Sequence, residues 1–239
     1  MQKKVAISWS GGKDCCLALH NAQDNGLKPS VLLCMMDSER DYSRSNGVSR
    51  QILEMQSVCL NLPIYFVKTT WEQYEDNLVN AISELKNRDS IDGCVFGDMD
   101  IESHKLFEKS ICEKAGIVAY LPLWGTTREE IRNKLFTLGI KSKLSVINKS
   151  FPIAKFIGSD YHEIDSTELI ELGVDICGEN GEFHTVVYDA PLFSSSIKLE
   201  AHTIYDLGSI LLCDFIFPNI YSKFDVSQDC NSSMILKNV

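Results

Sequence analysis

The chain has 239 residues, 44% of them hydrophobic and 23% charged, with 23 basic against 33 acidic side chains and a net charge of −10. This length buries a substantial core, in one α/β domain or in one domain with a smaller annex, and the composition excludes a disordered chain. The negative charge excludes broad electrostatic attachment to nucleic acid or anionic membrane, and no apolar run reaches the roughly 20 residues that span a bilayer.

The start, MQKKVAISWSGGKD, runs directly into strand-like sequence without a signal-peptide pattern, so a cytoplasmic location is expected. Short apolar, β-rich segments follow at 3–10, 30–37, 62–69, 92–98 and 116–124. Helical stretches lie between them. Residues 13–25 end at Gly26, 48–62 stop at Pro63, 71–87 carry Leu78, Ile82 and Leu85 on one stripe, and 103–115 end at Gly116. Strands alternating with helices predict right-handed crossovers and a parallel sheet covered on both faces, an α/β doubly wound architecture.

After Trp124 the rhythm changes. TTREEIRNKLFTLG opens with a capping-box pattern, Thr126 with Glu129 or Thr127 with Glu130, and carries Ile131, Leu135 and Leu138 on one helical face before Gly139. A strand at 143–149, a short acidic helix at 166–172 and β-rich segments at 183–188 and 197–217 complete the pattern. A boundary near Gly125 therefore separates residues 1–125 from a smaller α+β unit at 126–225, with 226–239 expected as a flexible tail. The nine cysteines are odd in number, scattered and without a CxxC pair; most suit reduced core positions, not a disulfide framework or a structural zinc site.

The segment SWSGGKDCC interrupts the first strand–helix unit. Gly11 and Gly12 permit positive φ and close backbone approach, so successive N–H groups form an anion nest at the start of a helix. Lys13 adds positive charge, and Ser8 and Ser10 add hydroxyls. Asp14 repels phosphate unless it holds Mg²⁺ or caps the helix. Asp98, directly after Gly97 at the end of the fourth strand, faces the same crevice and is the second candidate Mg²⁺ ligand. The glycines would also serve a plain βα turn with Lys13 in solvent.

SGGKD between strand and helix resembles the SGGxDS pyrophosphate loop of the N-type ATP pyrophosphatases, with Cys15 where that pattern has serine. A thiol is the weaker hydrogen-bond donor. Two further stretches, GDMDIESHKLFEKSICEKAGIVAYLPLW from Gly97 and GVDICGENGEFHTVVYDAPLF from Gly173, resemble blocks of the diphthine–ammonia ligase family. The resemblance runs from about residue 4 to 193. It implies a nucleotide-binding domain of HUP type, a C-terminal domain that helps form the acceptor site, and ATP with Mg²⁺ as cofactors. It also implies the chemistry: a carboxylate attacks the α-phosphorus, pyrophosphate leaves, and ammonia displaces AMP from the acyl adenylate. The partners implied are ATP, ammonium and a carboxylate acceptor such as diphthine on elongation factor 2; a homodimer is one assembly the sequence leaves open.

On this resemblance ATP lies against Ser8, Ser10, Gly11, Gly12, Lys13, Asp14, Cys15, Gly97 and Asp98, with adenine beside the end of strand two at Cys34 to Met36. Glu102 and His104 contact acceptor or phosphate, or stand as a first-turn carboxylate and a solvated imidazole. CGENGEFHT, from Cys177, packs more polar side chains around two glycines than a turn requires. Within it Glu179 or Glu182 would orient ammonium and take its proton, joining Lys13 as the catalytic set, because only neutral ammonia attacks an adenylate. Gly178, Asn180, Gly181, His184 and Thr185 would receive the acceptor; a solvated hairpin is the bland alternative. Two other functions remain open. Sulfur transfer is invited by Cys15, Cys16 and Cys177 but opposed by the acidic surface and by phosphate beside a thiolate. A nucleotide sensor leaves the polar loop after Cys177 without a purpose.

Overall fold

In the computed structural model, which describes residues 2–218, strands and helices alternate through the first half. They are β1 Lys4–Ser8, α1 Lys13–Asp24, β2 Lys28–Asp37, α2 Arg50–Leu60, β3 Ile64–Thr69, α3 Tyr74–Asp89, β4 Gly93–Val95, α4 Glu102–Lys114 and β5 Val118–Tyr120. The strands form one parallel sheet in the order β3-β2-β1-β4-β5. β5 is short; Pro122, just beyond it, lacks the amide needed to extend a ladder. The tail expected at 226–239 lies outside the described residues.

Alternation along each strand sends neighbouring residues to opposite faces. Ala6, Leu33 and Cys94 meet Leu78, Ile82 and Leu85 of α3 and Ile111 and Cys112 of α4. Val5, Ile7, Leu32 and Cys34 face the other way, into a core shared with Cys16 and Leu19 of α1 and Ile52 and Leu53 of α2. Cys16 is fully buried there, as an apolar residue would be. All eight cysteines among the described residues are free and buried.

The second half contributes α5 Arg128–Leu138, β6 Lys141–Asn148, α6 Ser166–Glu171, β7 Phe183–Asp189, β8 Glu200–Asp206 and β9 Ile210–Ile216. Its four strands make an antiparallel sheet, β7-β6-β9-β8, which is the smaller α+β unit. Of the two capping boxes the sequence allows at α5, the fold uses Thr127 with Glu130, and Gly139 ends the helix at φ 73°. The hydrophobic core continues across Gly125: Leu144 and Ile147 of β6 and Phe183, Val186 and Val187 of β7 belong to the same cluster as β1, α1 and α2.

One buried polar side chain ties the two sheets together. Gln56, on the inner face of α2, is fully buried. Its Oε1 accepts from Trp9 Nε1 at 2.9 Å, while its Nε2 donates to Gly11 O at 3.0 Å and Val187 O at 2.7 Å. Val187 N also donates to Gly11 O at 2.9 Å, so β7 is hydrogen-bonded directly to the loop after β1. Replacing Gln56 with leucine strips partners from a buried indole N–H and a buried carbonyl, each costing about 1–3 kcal/mol. We expect Gln56→Leu to lose about 3 kcal/mol of stability in urea unfolding; a loss below about 1 kcal/mol would contradict this account of the seam.

Candidate functional site

β1 leads outward to β2 and β3 on one side, and β4 and β5 lie on the other, so the strand order reverses between β1 and β4. Open α/β sheets hold their ligand crevice at such a switch point, beyond the carboxyl ends of the strands. A cavity of about 890 Å³ lies there, between the loop after β1 and the segment running from Cys177 into β7.

The loop after β1 is shaped by close approach. Gly11 stands at φ +87°, and a Cβ on Gly12 would lie 2.2 Å from Asn46 Nδ2. No side chain caps α1 at Gly12. Lys13 N is satisfied by Thr185 Oγ1 at 3.0 Å, and Asn46 Nδ2 donates to Thr185 O at 2.9 Å. A Cβ on Gly97 would lie 2.9 Å from the carbonyl carbon of Asp14 and 3.0 Å from Cys15 N, so only glycine keeps the first-turn amides of α1 uncovered on that side. Cys15 is buried beneath the loop: Ser10 Oγ donates to its sulfur at 3.6 Å, and its thiol donates to Gly12 O at 3.1 Å. Burial pushes the Cys15 thiol up.

Lys13 crosses the cleft. Its side chain is 3% exposed, and its ammonium donates to both oxygens of Asp14, at 3.0 and 2.8 Å, and to Cys177 O at 2.5 Å. The rings of Tyr161 and Phe183 lie 5.8 and 5.7 Å from it. Burial opposes its charge, but Asp14 and the surrounding acceptors hold the ammonium above the ordinary lysine value.

At the end of β4, Asp98 Oδ1 is 2.7 Å from His104 Nδ1 on α4. One turn along α4 lies Glu108, 6% exposed, with Oε2 buried and without a partner. Burial, and secondly hydrogen bonding to Asp98, push the Glu108 carboxyl up to about 10. It therefore holds a proton at neutral pH.

The segment after Cys177 is held from below. Asp175 accepts from Cys177 N at 2.7 Å and from Arg128 Nε at 2.7 Å, and Arg128 also grips Asp100 at 2.7 Å. Glu182 is buried and fully engaged: Asp175 N and Asn180 N donate to it at 2.9 Å each, and Asn180 Nδ2 at 3.2 Å. Glu179 lines the cleft. Burial, followed by the charge of Asp14, raises its carboxyl to about 8. His184 also lines the cleft; burial and the Lys13 charge lower its imidazole to about 4, so it is neutral.

The fold thus brings Ser8, Ser10, Lys13, Asp14 and Cys15 to one wall, and Gly97, Asp98 and His104 to the adjoining one. Gly178, Glu179, Asn180, Gly181, His184 and Thr185 form the facing wall. Six sequence expectations are placed elsewhere. Gly11 and Gly12 are buried in the turn they make and do not themselves line the cleft. Met36 is fully buried, and an isolated bridge to Ser43 covers the end of β2. Cys34 is buried with it. Glu102 is exposed, with Lys105 as its partner at 3.1 Å. Glu182 is a scaffold for the loop, for its oxygens are spent on backbone amides. Conversely, Asn46, Glu108 and an aromatic group of Trp71, Tyr74 and Phe107 line the cleft without having been singled out. Glu108 had a legible signal, since an acid four residues after His104 shares its helical face.

Residues 3–119 match the family model described as diphthamide synthase N-terminal domain, and residues 137–211 match the model described as diphthamide synthase C-terminal domain. A diphthine–ammonia ligase of Homo sapiens is 22% identical over 247 residues, covering 92% of this chain and 90% of that protein. One from Danio rerio is 23% identical over 216 residues, covering 80% and 84%. The Schizosaccharomyces pombe protein of the same name is longer: 22% identity over 231 residues covers 88% of this chain and 38% of that protein.

The assignment of Glu182 to the loop scaffold is testable. Removing one charged acceptor in Glu182→Gln weakens bonds worth about 1.5–3 kcal/mol. Amide hydrogen exchange at Asp175 and Asn180 should accelerate at least tenfold, and unchanged protection would refute the assignment.

Proposed function

The chain belongs to the diphthamide synthase family, and on that premise we propose that it activates a carboxylate by adenylation and then aminates it with ammonia. One observation carries this reading. Ser8, Ser10 and the open first turn of α1 face Glu179 across a single cleft, and Lys13 joins the two walls by its bonds to Asp14 and Cys177 O. The acceptor we propose is the diphthine carboxylate of elongation factor 2, in keeping with the diphthine and ammonia in the relatives' names.

ATP lies with its β- and γ-phosphates on the amides of Gly11, Gly12 and the first turn of α1, where the helix dipole favours anions. The hydroxyls of Ser8 and Ser10 donate beside them. Adenine takes the flat faces of Trp71, Tyr74 and Phe107, because Met36 is sealed beneath its bridge to Ser43. The donor set suits Mg²⁺, which asks for one or two carboxylates besides phosphate oxygens. Asp98 offers such an oxygen, whereas both oxygens of Asp14 are bound to Lys13 and Glu108 holds its proton. When bound, the ion would offset phosphate charge.

The acceptor carboxylate oxygen attacks the α-phosphorus, the bond from that phosphorus to the bridging oxygen breaks, and pyrophosphate leaves. Ammonia then attacks the acyl carbon, and AMP departs with the electron pair of the broken C–O bond. Glu179, poised near 8 and lining the cleft, takes the proton that ammonium must lose. The thiols play no part: burial pushes Cys15 up and Cys177 up to about 12, which supports amidation over sulfur transfer.

Incubation with ATP, Mg²⁺, ammonium and a diphthine-bearing acceptor should release AMP and pyrophosphate only when the acceptor is present; ADP and phosphate as products would overturn the reading. A base must be deprotonated to act, so kcat/KM should rise as pH increases through about 8, the value in free enzyme. Glu179→Gln should lower kcat at least about 100-fold and abolish that inflection, leaving only the one due to ammonium itself. An unchanged profile in the variant would remove Glu179 from the proton transfer.

A further inference from the structure

Behind the loop that follows Cys177 lies a second cavity, of about 430 Å³, outside the site described above. Ile176 lines it, adjacent to Cys177 of the main cleft, and Tyr161, whose hydroxyl donates to Ile176 O at 2.7 Å, stands between the two spaces. Arg132 of α5 lines this cavity and is only 7% exposed. Its Nη2 donates to Ile164 O, and its guanidinium lies 4.6 Å from the ring centre of Phe136 and 4.7 Å from that of Tyr161. Nη1 has no partner, and among the described residues no carboxylate forms an ion pair with Arg132. His162, stacked on Phe136 at 4.3 Å, also lines the cavity with both ring nitrogens buried and unpartnered.

A buried guanidinium without an anion is an expensive arrangement, and three orphaned nitrogens beside one cavity exceed what folding requires. Phe136 and Tyr161 stabilise the cation through their ring faces but leave the hydrogen-bonding capacity of Nη1 unused. A carboxylate or another oxyanion would complete it. The rim is of opposite sign: Glu129, Glu163 and Asp165 are exposed around the opening. A simple anion would be repelled there, whereas a ligand carrying both charges is matched at both ends.

We propose that this cavity is a ligand site for a small zwitterion of the free amino acid class, its carboxylate meeting Arg132 and its ammonium group facing Glu129, Glu163 and Asp165. Binding requires the Arg132 fork to turn, so that Nη1 leaves its buried position and meets the carboxylate. This site is independent of the adenylation reading, since neither Arg132 nor the acidic rim belongs to the ATP cleft.

Titration calorimetry on the whole chain, with the standard L-amino acids measured one at a time, tests the site. At least one should bind saturably. Its N-acetyl derivative, lacking the ammonium, and its amide, lacking the carboxylate, should each bind at least tenfold more weakly. Glu163→Gln, a change at an exposed position, should weaken binding several-fold, and Arg132→Met, which keeps the apolar stem between the rings, should abolish it. Failure of every amino acid to bind the wild-type chain would overturn the proposal. Equal binding of the N-acetyl derivative would also overturn it, by revealing a plain anion site. The wild-type comparisons and Glu163→Gln decide the matter even if Arg132→Met does not fold.

Discussion

Everything at the cleft depends on a strand from one sheet being bonded to a loop from the other. β7 meets the loop after β1 through Val187 N donating to Gly11 O and Lys13 N donating to Thr185 Oγ1, with Gln56 bridging Gly11 and Val187 from beneath. A glycine-rich loop alone pays a large entropic cost for a single conformation. Here that cost is met by the second half of the chain, which supplies the acceptors and donors that fix the loop. The same strand carries His184 and Thr185 into the cleft, so the element that stabilises the loop also builds the facing wall.

The adenylation reading asks an acidic chain to hold a polyanion at this seam. Among the described residues, Lys13 is the only lysine or arginine lining the cleft, against the carboxyls of Asp14, Asp98, Glu108 and Glu179. Were all four ionised, a triphosphate would meet strong repulsion. Burial raises Glu108 to about 10 and Glu179 to about 8, so both hold protons near neutrality. Asp14 is neutralised by Lys13, and the net field at the loop is set mainly by backbone amides. Positive charge is concentrated at one buried atom and is not spread over a basic surface.

Much of the fold was legible because its signals are local. Strand–helix alternation and terminating residues such as Gly26, Pro63 and Gly116 gave the parallel sheet, and the alternative Thr126–Glu129 and Thr127–Glu130 boxes bracketed the start of α5. Boundaries drifted where tertiary contact overrides pattern: α3 begins at Tyr74, while residues 71–73 form the turn that presents Trp71 to the cleft. At the site, the loops around Gly11 and Gly178 announced themselves by glycine and polar density. Asn46 and Gln56 did not, because one looks like a turn residue and the other like a solvated helical amide until the two sheets meet. Glu179 and Glu182 were indistinguishable in sequence; they differ only in whether folded-chain amides point at the carboxylate.

The Tyr161 ring has Lys13 5.8 Å from its centre and the Arg132 guanidinium 4.7 Å from it. A single π-system thus serves as a common counter-charge for cations belonging to two separate spaces. An electron-poor ring or an aliphatic residue at that position would weaken the hold on both cations at once. The electrostatics of the two cavities are therefore not separable design variables: any sequence change that tunes one through this ring retunes the other.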